Sequence, residues 1–237
     1  MKSIKFATIV FTFFVTGSSF LTQSCGVTQQ LKLSDFAKDK IAGEKELDFL
    51  FDGLKTGENT KLKKLVYYLD RPLMISNKND FTLDGNGCTF IMRDKSEDVL
   101  VVENSKNITL KNFKATHIEP NGPIGCTGSV IQVRENENVL IEKCALNGSG
   151  IIGVTSYNTK NLSVVENYIY NNSEYGILYD LETSIEIKGN KFEDNGTSGN
   201  DHVVKALNGS LSEVEPIKKG MNQEGLKMSN NIFKLKK

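Results

Sequence analysis

Two histidines, His117 and His202, are the side chains of this 237-residue sequence best suited to pass a proton near neutral pH. They are the candidate catalytic residues, and they converge only where the polar stretch that begins at His117 folds back. The plainer reading makes His117 a solvated loop residue and His202 a residue at the start of a strand. Neither has local cysteines or clustered carboxylates at ligand spacing, so no metal and no cofactor is expected. Arginine occurs only at Arg71, Arg93 and Arg134, which weakens any mechanism that clamps carboxylates or phosphates with guanidinium groups. Tyr157, Tyr170, Tyr175 and Tyr179 either offer stacking surfaces to a ligand or pack within strands. Lysines and arginines number 29 and acidic residues 29, with no polybasic block, so nucleic acid is not expected as a partner.

The elements that must position these groups repeat. Leu162-Ser163-Val164, with Asn167 and Ile169 after it, returns as Ile185-Glu186-Ile187 with Asn190 and Phe192, a period of 23 residues. Such a period marks a solenoid whose units bury apolar faces against one another, and alternation at period two makes the unit a strand. Segments beginning at Phe81, Ile108, Val139, Leu162, Ile185 and Leu226 align. Two residues on, the inward column reads Leu83, Leu110, Ile141, Val164, Ile187 and Met228. At the fourth offset lie Gly85, Asn112, Lys143, Glu166, Gly189 and Asn230, a column expected to bend the chain because Gly and Asn tolerate positive φ. The fifth offset reads Asn86, Phe113, Cys144, Asn167, Asn190 and Asn231, and its amides are expected to bond along the stack. The seventh reads Cys88, Ala115, Leu146, Ile169, Phe192 and Phe233. A further strand precedes most of these segments, near 99–102, 130–133, 151–155, 176–179 and 203–207. The period stretches to 31 and 41 residues where loops at 116–128 and 208–224 leave the coil, and function is sought there.

Cys88 and Cys144 fall in inward columns two coils apart, beyond the roughly 7 Å Cα limit for a disulfide. Both are expected free and buried, and Cys126, in the first loop, has no evident partner. Upstream, Leu47, Leu50, Phe51 and Leu54 recur at helical spacing and stop at Gly57, which predicts a helix over the open end of the solenoid. The first helical patch of the chain lies before it and begins at Ser34. The expected order is a signal segment over 1–24, a tether over 25–33, a helical cap over 34–57 and a parallel β-helix over 58–237.

Asn-aliphatic-x-aliphatic-x-x-Asn/Cys-x-apolar, preceded by strands such as Tyr-Gly-Ile-Leu-Tyr-Asp, resembles the repeats of right-handed parallel β-helix proteins of the pectate-lyase-like superfold, NosD-like proteins among them. The resemblance covers about 60–237 and implies an all-β fold: a right-handed parallel β-helix with a short N-terminal helical cap. Its chemistry is diverse, since the superfold hosts lyases, hydrolases, epimerases, tailspikes and adhesins. Lyase resemblance directs attention to an Arg-x-Pro-x-x-Arg run, of which only Arg71-Pro72 exists, and hydrolase resemblance to an Asp-Asp pair, which the sequence lacks. Outward positions of the first strand mix Lys111 with Glu142 and Glu186 with Lys188, which reads as a solvated charge ladder.

Lys2 and Lys5 precede an apolar run, 6–15, too short to span a bilayer, as in a secretory signal. Leu21-Thr22-Gln23-Ser24-Cys25-Gly26 resembles a bacterial lipoprotein signal with a relaxed lipobox, which implies acylation of Cys25 and anchorage in the cell envelope; ordinary cleavage nearby is the alternative. The expectation is an exported, lipid-anchored, non-catalytic surface for a polysaccharide or an envelope protein, touching the membrane through its anchor alone. A polysaccharide lyase or glycoside hydrolase, and a structural or assembly module, stay open as alternatives. Fatty-acid labelling is expected to mark the native chain and to be lost in Cys25→Ala. A label that survives the substitution overturns the anchor.

Overall fold

Alternating apolar residues that recur at coil length give each strand one buried face and a partner one coil away, and this sets the architecture. The computed structural model describes residues 40–118, 127–147, 151–196, 204–207 and 225–234. Cys25, Cys126 and His202 lie outside them, as do the first helical patch up to residue 39 and most of both period-breaking loops. Among the described residues the strands form a single 16-stranded sheet in which every pairing is parallel. The chain is a parallel β-solenoid with a helix, α1 (Glu44–Thr56), at its N-terminal end.

The first face has the register that the aligned segments predict: Phe81 pairs with Ile108, Ile108 with Val139, Val139 with Leu162, Leu162 with Ile185, and Ile185 with Leu226. Its inward columns are buried from Phe81 and Leu83 through to Leu226 and Met228. Where the sequence suggests two strands per coil, the chain bends again and makes a third. Left-handed backbone at Asn112, Lys143, Glu166, Gly189 and Asn230 turns the chain onto a second face, which carries Ala145–Asn147, Tyr168–Tyr170, Lys191–Glu193 and Ile232–Lys234. The third face holds Leu73–Ser76, Leu100–Glu103, Tyr175–Asp180 and Val204–Leu207. Paired bends, at Asn77, Asn104, Glu135 and Asn158 and then at Asp80, Asn107, Asn138 and Asn161, return the chain to the first face.

One register differs from the expected columns. Between Asp84 and Cys88 the first long strand slips against its neighbour: Asp84 pairs with Lys111, yet Cys88 pairs with Phe113 and Phe90 with Ala115. The bend there takes extra residues, with positive φ on Asn86 (49°) and Gly87 (81°), and not on Gly85. Gly85 answers to a close approach instead, because a Cβ there would stand 2.5 Å from that of Phe113. Cys88 therefore joins the column of Phe113 and Cys144, and Phe90 stands where Cys88 was expected, packed edge-on against Phe113 at 5.3 Å. Both thiols are free and fully buried, with Phe113 between them in the column.

The expected amide ladder is present. The Asn190 Oδ1 accepts from the Asn167 backbone N–H at 2.8 Å, while its Nδ2 donates to the Val164 carbonyl at 2.7 Å. Asn231 repeats this toward Asn190 and Ile187, and Asn167 serves the Cys144 N–H and the Ile141 carbonyl. A second ladder, Asn172 and Asn195, runs at the next bend. Each amide satisfies backbone groups that the bend removes from the sheet's own pairing. In α1, Leu50 and Leu54 are buried and Gly57 closes the helix at φ 77°. The Glu46 carboxylate accepts the Gly43 N–H at 3.1 Å at its start.

Replacing Asn190 by Ala leaves the Asn167 N–H and the Val164 carbonyl buried without their Asn190 partner, an expected loss of about 2–6 kcal/mol at roughly 1–3 kcal/mol per orphaned group. Asn138→Gly keeps the left-handed backbone and removes two exposed amide contacts, to Asn107 and from Asn161, so it is expected to cost about 1 kcal/mol or less. Urea midpoints of the two variants check the difference.

Candidate functional site

His117 is the one candidate catalytic residue among those described, and it is the last residue of a strand (Lys106–His117), not part of a loop. Its side chain is fully buried, with Nε2 donating to the Glu97 carbonyl at 2.8 Å. Its Nδ1 is buried without a hydrogen-bond partner. Burial pushes its pKa down, against the opposing pull of the Glu97 hydrogen bond and of nearby Asp94. A ring buried in this way fixes the turn at 94–98 to the end of the second face. That turn in turn holds the next segment: Gly128 N–H donates to the Lys95 carbonyl at 3.3 Å and Ser129 N–H to the Asp98 carboxylate at 2.6 Å. Burial pushes the Asp98 carboxyl up despite that bond.

The arginines are engaged in structural contacts. Arg71 lies over the Phe51 ring of α1 at 4.4 Å, Arg93 pairs with Asp70 at 2.9 Å, and Arg134 pairs with Glu103. Of the tyrosines, Tyr179 faces the core and Tyr170 is buried and stacked on Tyr168, their centroids 4.1 Å apart. Tyr157 is 37% exposed on the third face.

One concave feature of the described surface is a groove of about 900 Å³ at the bend between the first and second faces; a smaller one, about 480 Å³, lies at the bends that return the chain to the first face, among Asn104, Glu135 and Asn158. The floor of the larger groove is the left-handed column, Asn112, Lys143, Glu166, Gly189 and Asn230, and it crosses successive coils along the stack. Lys61 and Asp84 come from the first face, Lys114, Ala145, Lys191 and Ile232 from the second, and Lys64 from the stretch between them. Phe113 borders the groove from the core side, its ring buried.

The lysines outnumber the carboxylates here, and the carboxylates are partly committed. Asp84 accepts from Asn86 N–H at 2.9 Å and Asn112 Nδ2 at 3.1 Å. Burial raises its pKa, and the bonds from Asn112 and Asn86 with the charges of Lys111 and Lys61 outweigh this, so the carboxyl sits below its ordinary value. Glu166 stands 4.0 Å from the Lys143 ammonium, a loose and solvated pair. Lys191 lies 4.2 Å over the Tyr168 ring and pairs with Glu193, whose carboxylate also accepts the Tyr168 hydroxyl at 2.8 Å. The groove thus presents ammonium groups and amides, with Ile232 exposed at its edge. No cluster of three or more His, Cys, Asp or Glu that could hold a metal occurs among the described residues.

Sequence columns missed this site. They followed the outward positions of the first face, whereas the groove's lysines come from the bend and from two different faces. The available signal was the bend column itself, whose occupants Lys143 and Glu166 are neither Gly nor Asn.

Fold and groove define a parallel β-solenoid with a concave surface laid along its coils. The family described as right handed beta helix region matches residues 72–215, and the chain belongs to it. No curated protein matches the chain.

The buried histidine makes a titration prediction. Its folded-state pKa lies below the unfolded value, so as pH falls through about 6.5 the unfolded chain takes up the proton first and stability falls. The loss reaches at most about 1.4 kcal/mol per pH unit for one group. Comparing urea midpoints at pH 7.5 and 5.5, the native chain is expected to lose more stability than His117→Gln, and equal losses would refute a buried neutral ring.

Proposed function

We propose that this protein is an exported, lipid-anchored β-helix that holds an extended carbohydrate chain in the groove between its first and second faces and performs no chemistry on it. The observation that carries the reading is the groove, elongated across successive coils and lined by amide and ammonium side chains beside the exposed Ile232. A sugar chain presents hydroxyls that amides and ammonium groups bind, and C–H faces that apolar and aromatic surfaces cover. The rigid backbone beneath supports this use, because the bend column is fixed by coil-to-coil hydrogen bonds before any ligand arrives, such as Gly189 N–H to the Ser229 carbonyl at 2.9 Å. His117 is sealed beneath its turn, so it supplies no acid or base to a bound chain. The anchor at Cys25 places such a surface in the bacterial cell envelope, where polysaccharides are available partners.

A panel of neutral and acidic polysaccharides, assayed for retention and for product, tests the reading. Retention without product is expected. Product formation that disappears in His202→Ala would make the protein a lyase or hydrolase instead. Absence of all glycan binding, with capture of an envelope protein, would make it an assembly module.

A further inference from the structure

We infer that the outer side of the second face is the docking surface for the chain's own N-terminal segment, residues 26–39. The strands of this face turn Phe90, Ala115, Leu146, Ile169 and Phe192 into the core, so the residues that alternate with them point outward. Those outward residues are buried all the same. Thr89 and Tyr168 are fully buried, and Ile91, Thr116, Ala145 and Tyr170 nearly so. Ala145, Tyr168 and Tyr170 form an apolar cluster separate from the core. Column neighbours stand beside an outward threonine or alanine and not above it, so on a bare sheet such a residue stays open to water. The burial therefore comes from chain laid over the face.

The N-terminal segment fits this place in connection, length and chemistry. Val66, the first buried outward residue of the face, donates its N–H to the Lys40 carbonyl at 3.0 Å and accepts the Ala42 N–H at 2.8 Å. The chain leading to Lys40 thus arrives at one end of the buried strip, which runs from Val66 through Thr89, Lys114 and Ala145 to Tyr168. Its four strand spacings amount to roughly 19 Å. The 14 residues from 26 to 39 span about 21 Å as a helix and about 46 Å extended, so either form reaches. Val27, Leu31, Leu33, Phe36 and Ala37 supply apolar side chains to lay against Ile91, Ala145 and the two tyrosines. The Thr89 Oγ1 and Asn147 Oδ1 are buried without a hydrogen-bond partner, and backbone N–H groups of a peptide crossing the face would satisfy them. Attachment through Lys40 also gives this segment a high effective concentration at the strip, an advantage that a second copy of the chain lacks.

The test is hydroxyl-radical footprinting of the purified native chain, read by mass spectrometry. Tyr168 and Tyr170 are expected to resist oxidation while Tyr157, which is 37% exposed, reacts. In Leu33→Asp/Phe36→Asp, oxidation of both is expected to rise roughly tenfold with Tyr157 unchanged, because an unpaired carboxylate is not buried against an apolar strip. A urea midpoint confirms that the double variant keeps its solenoid. Benzoylphenylalanine in place of Phe36 tests the same contact without removing an apolar side chain, and illumination is expected to join residue 36 to the 145–170 stretch of the same chain. Tyr168 and Tyr170 that oxidise as fast as Tyr157 in the native chain would show a bare face and overturn the docking. Protection that persists in the folded double variant, or crosslinks from residue 36 to other parts of the chain, would give the face to another segment. Crosslinks between chains would give it to a second copy, and either result overturns the assignment to residues 26–39.

Discussion

Every column of this protein depends on one spacing, the roughly 4.8 Å between hydrogen-bonded strands in neighbouring coils. A residue in one coil lies against its counterpart in the next, so side chains must be compatible with copies of their own position. Aliphatic residues meet that requirement by packing, and Phe192 and Phe233 meet it by stacking with centroids 5.1 Å apart. Asparagine meets it because its amide is both donor and acceptor and reaches about one coil spacing. The Asn167, Asn190 and Asn231 amides thereby restore to buried bends the hydrogen bonds that leaving the strand conformation removes. Without them the bends would leave buried N–H and carbonyl groups unpaired at a cost of roughly 1–3 kcal/mol each.

That constraint explains which features were legible in the sequence. The first face was readable residue by residue because its inward positions admit only aliphatic, aromatic or Met side chains and its outward positions do not. The cap helix was readable from Leu47, Leu50, Phe51 and Leu54, whose spacing buries Leu50 and Leu54. The second face was misaligned in the first long coil because Gly85-Asn86-Gly87 adds length at the bend without changing apolar periodicity, and only pairing with Phe113 and Ala115 fixes where the strand resumes. The groove was illegible for a different reason. Its lysines share no period, and what brings them together is the angle between two faces, which alternation within either face does not encode.

The same reasoning separates the two kinds of candidate that the sequence offered. His117 occupies a buried strand end at the 94–98 turn, and its Nε2 holds that turn through the Glu97 carbonyl. The tyrosines divide similarly. Tyr179 stands in an inward column, where it fills volume, while Tyr168 faces outward and orients Lys191 and Glu193 beside the groove. Inward columns build the scaffold, so the residues free to vary in chemistry are the outward ones and those at the bends.

The bend under the groove carries this furthest. Its backbone is left-handed at every coil, a conformation in which Gly bears no steric cost and a residue with a Cβ costs about 1–2 kcal/mol. Gly189 and Asn230 occupy it cheaply, yet Lys143 and Glu166 hold φ 54° at the same position. Neither long side chain is buried, and their mutual contact at 4.0 Å between exposed groups stabilises the fold little. The scaffold therefore gains nothing from them that Gly or Asn would not supply at lower cost. What these side chains add is an ammonium and a carboxylate among the residues that line the groove.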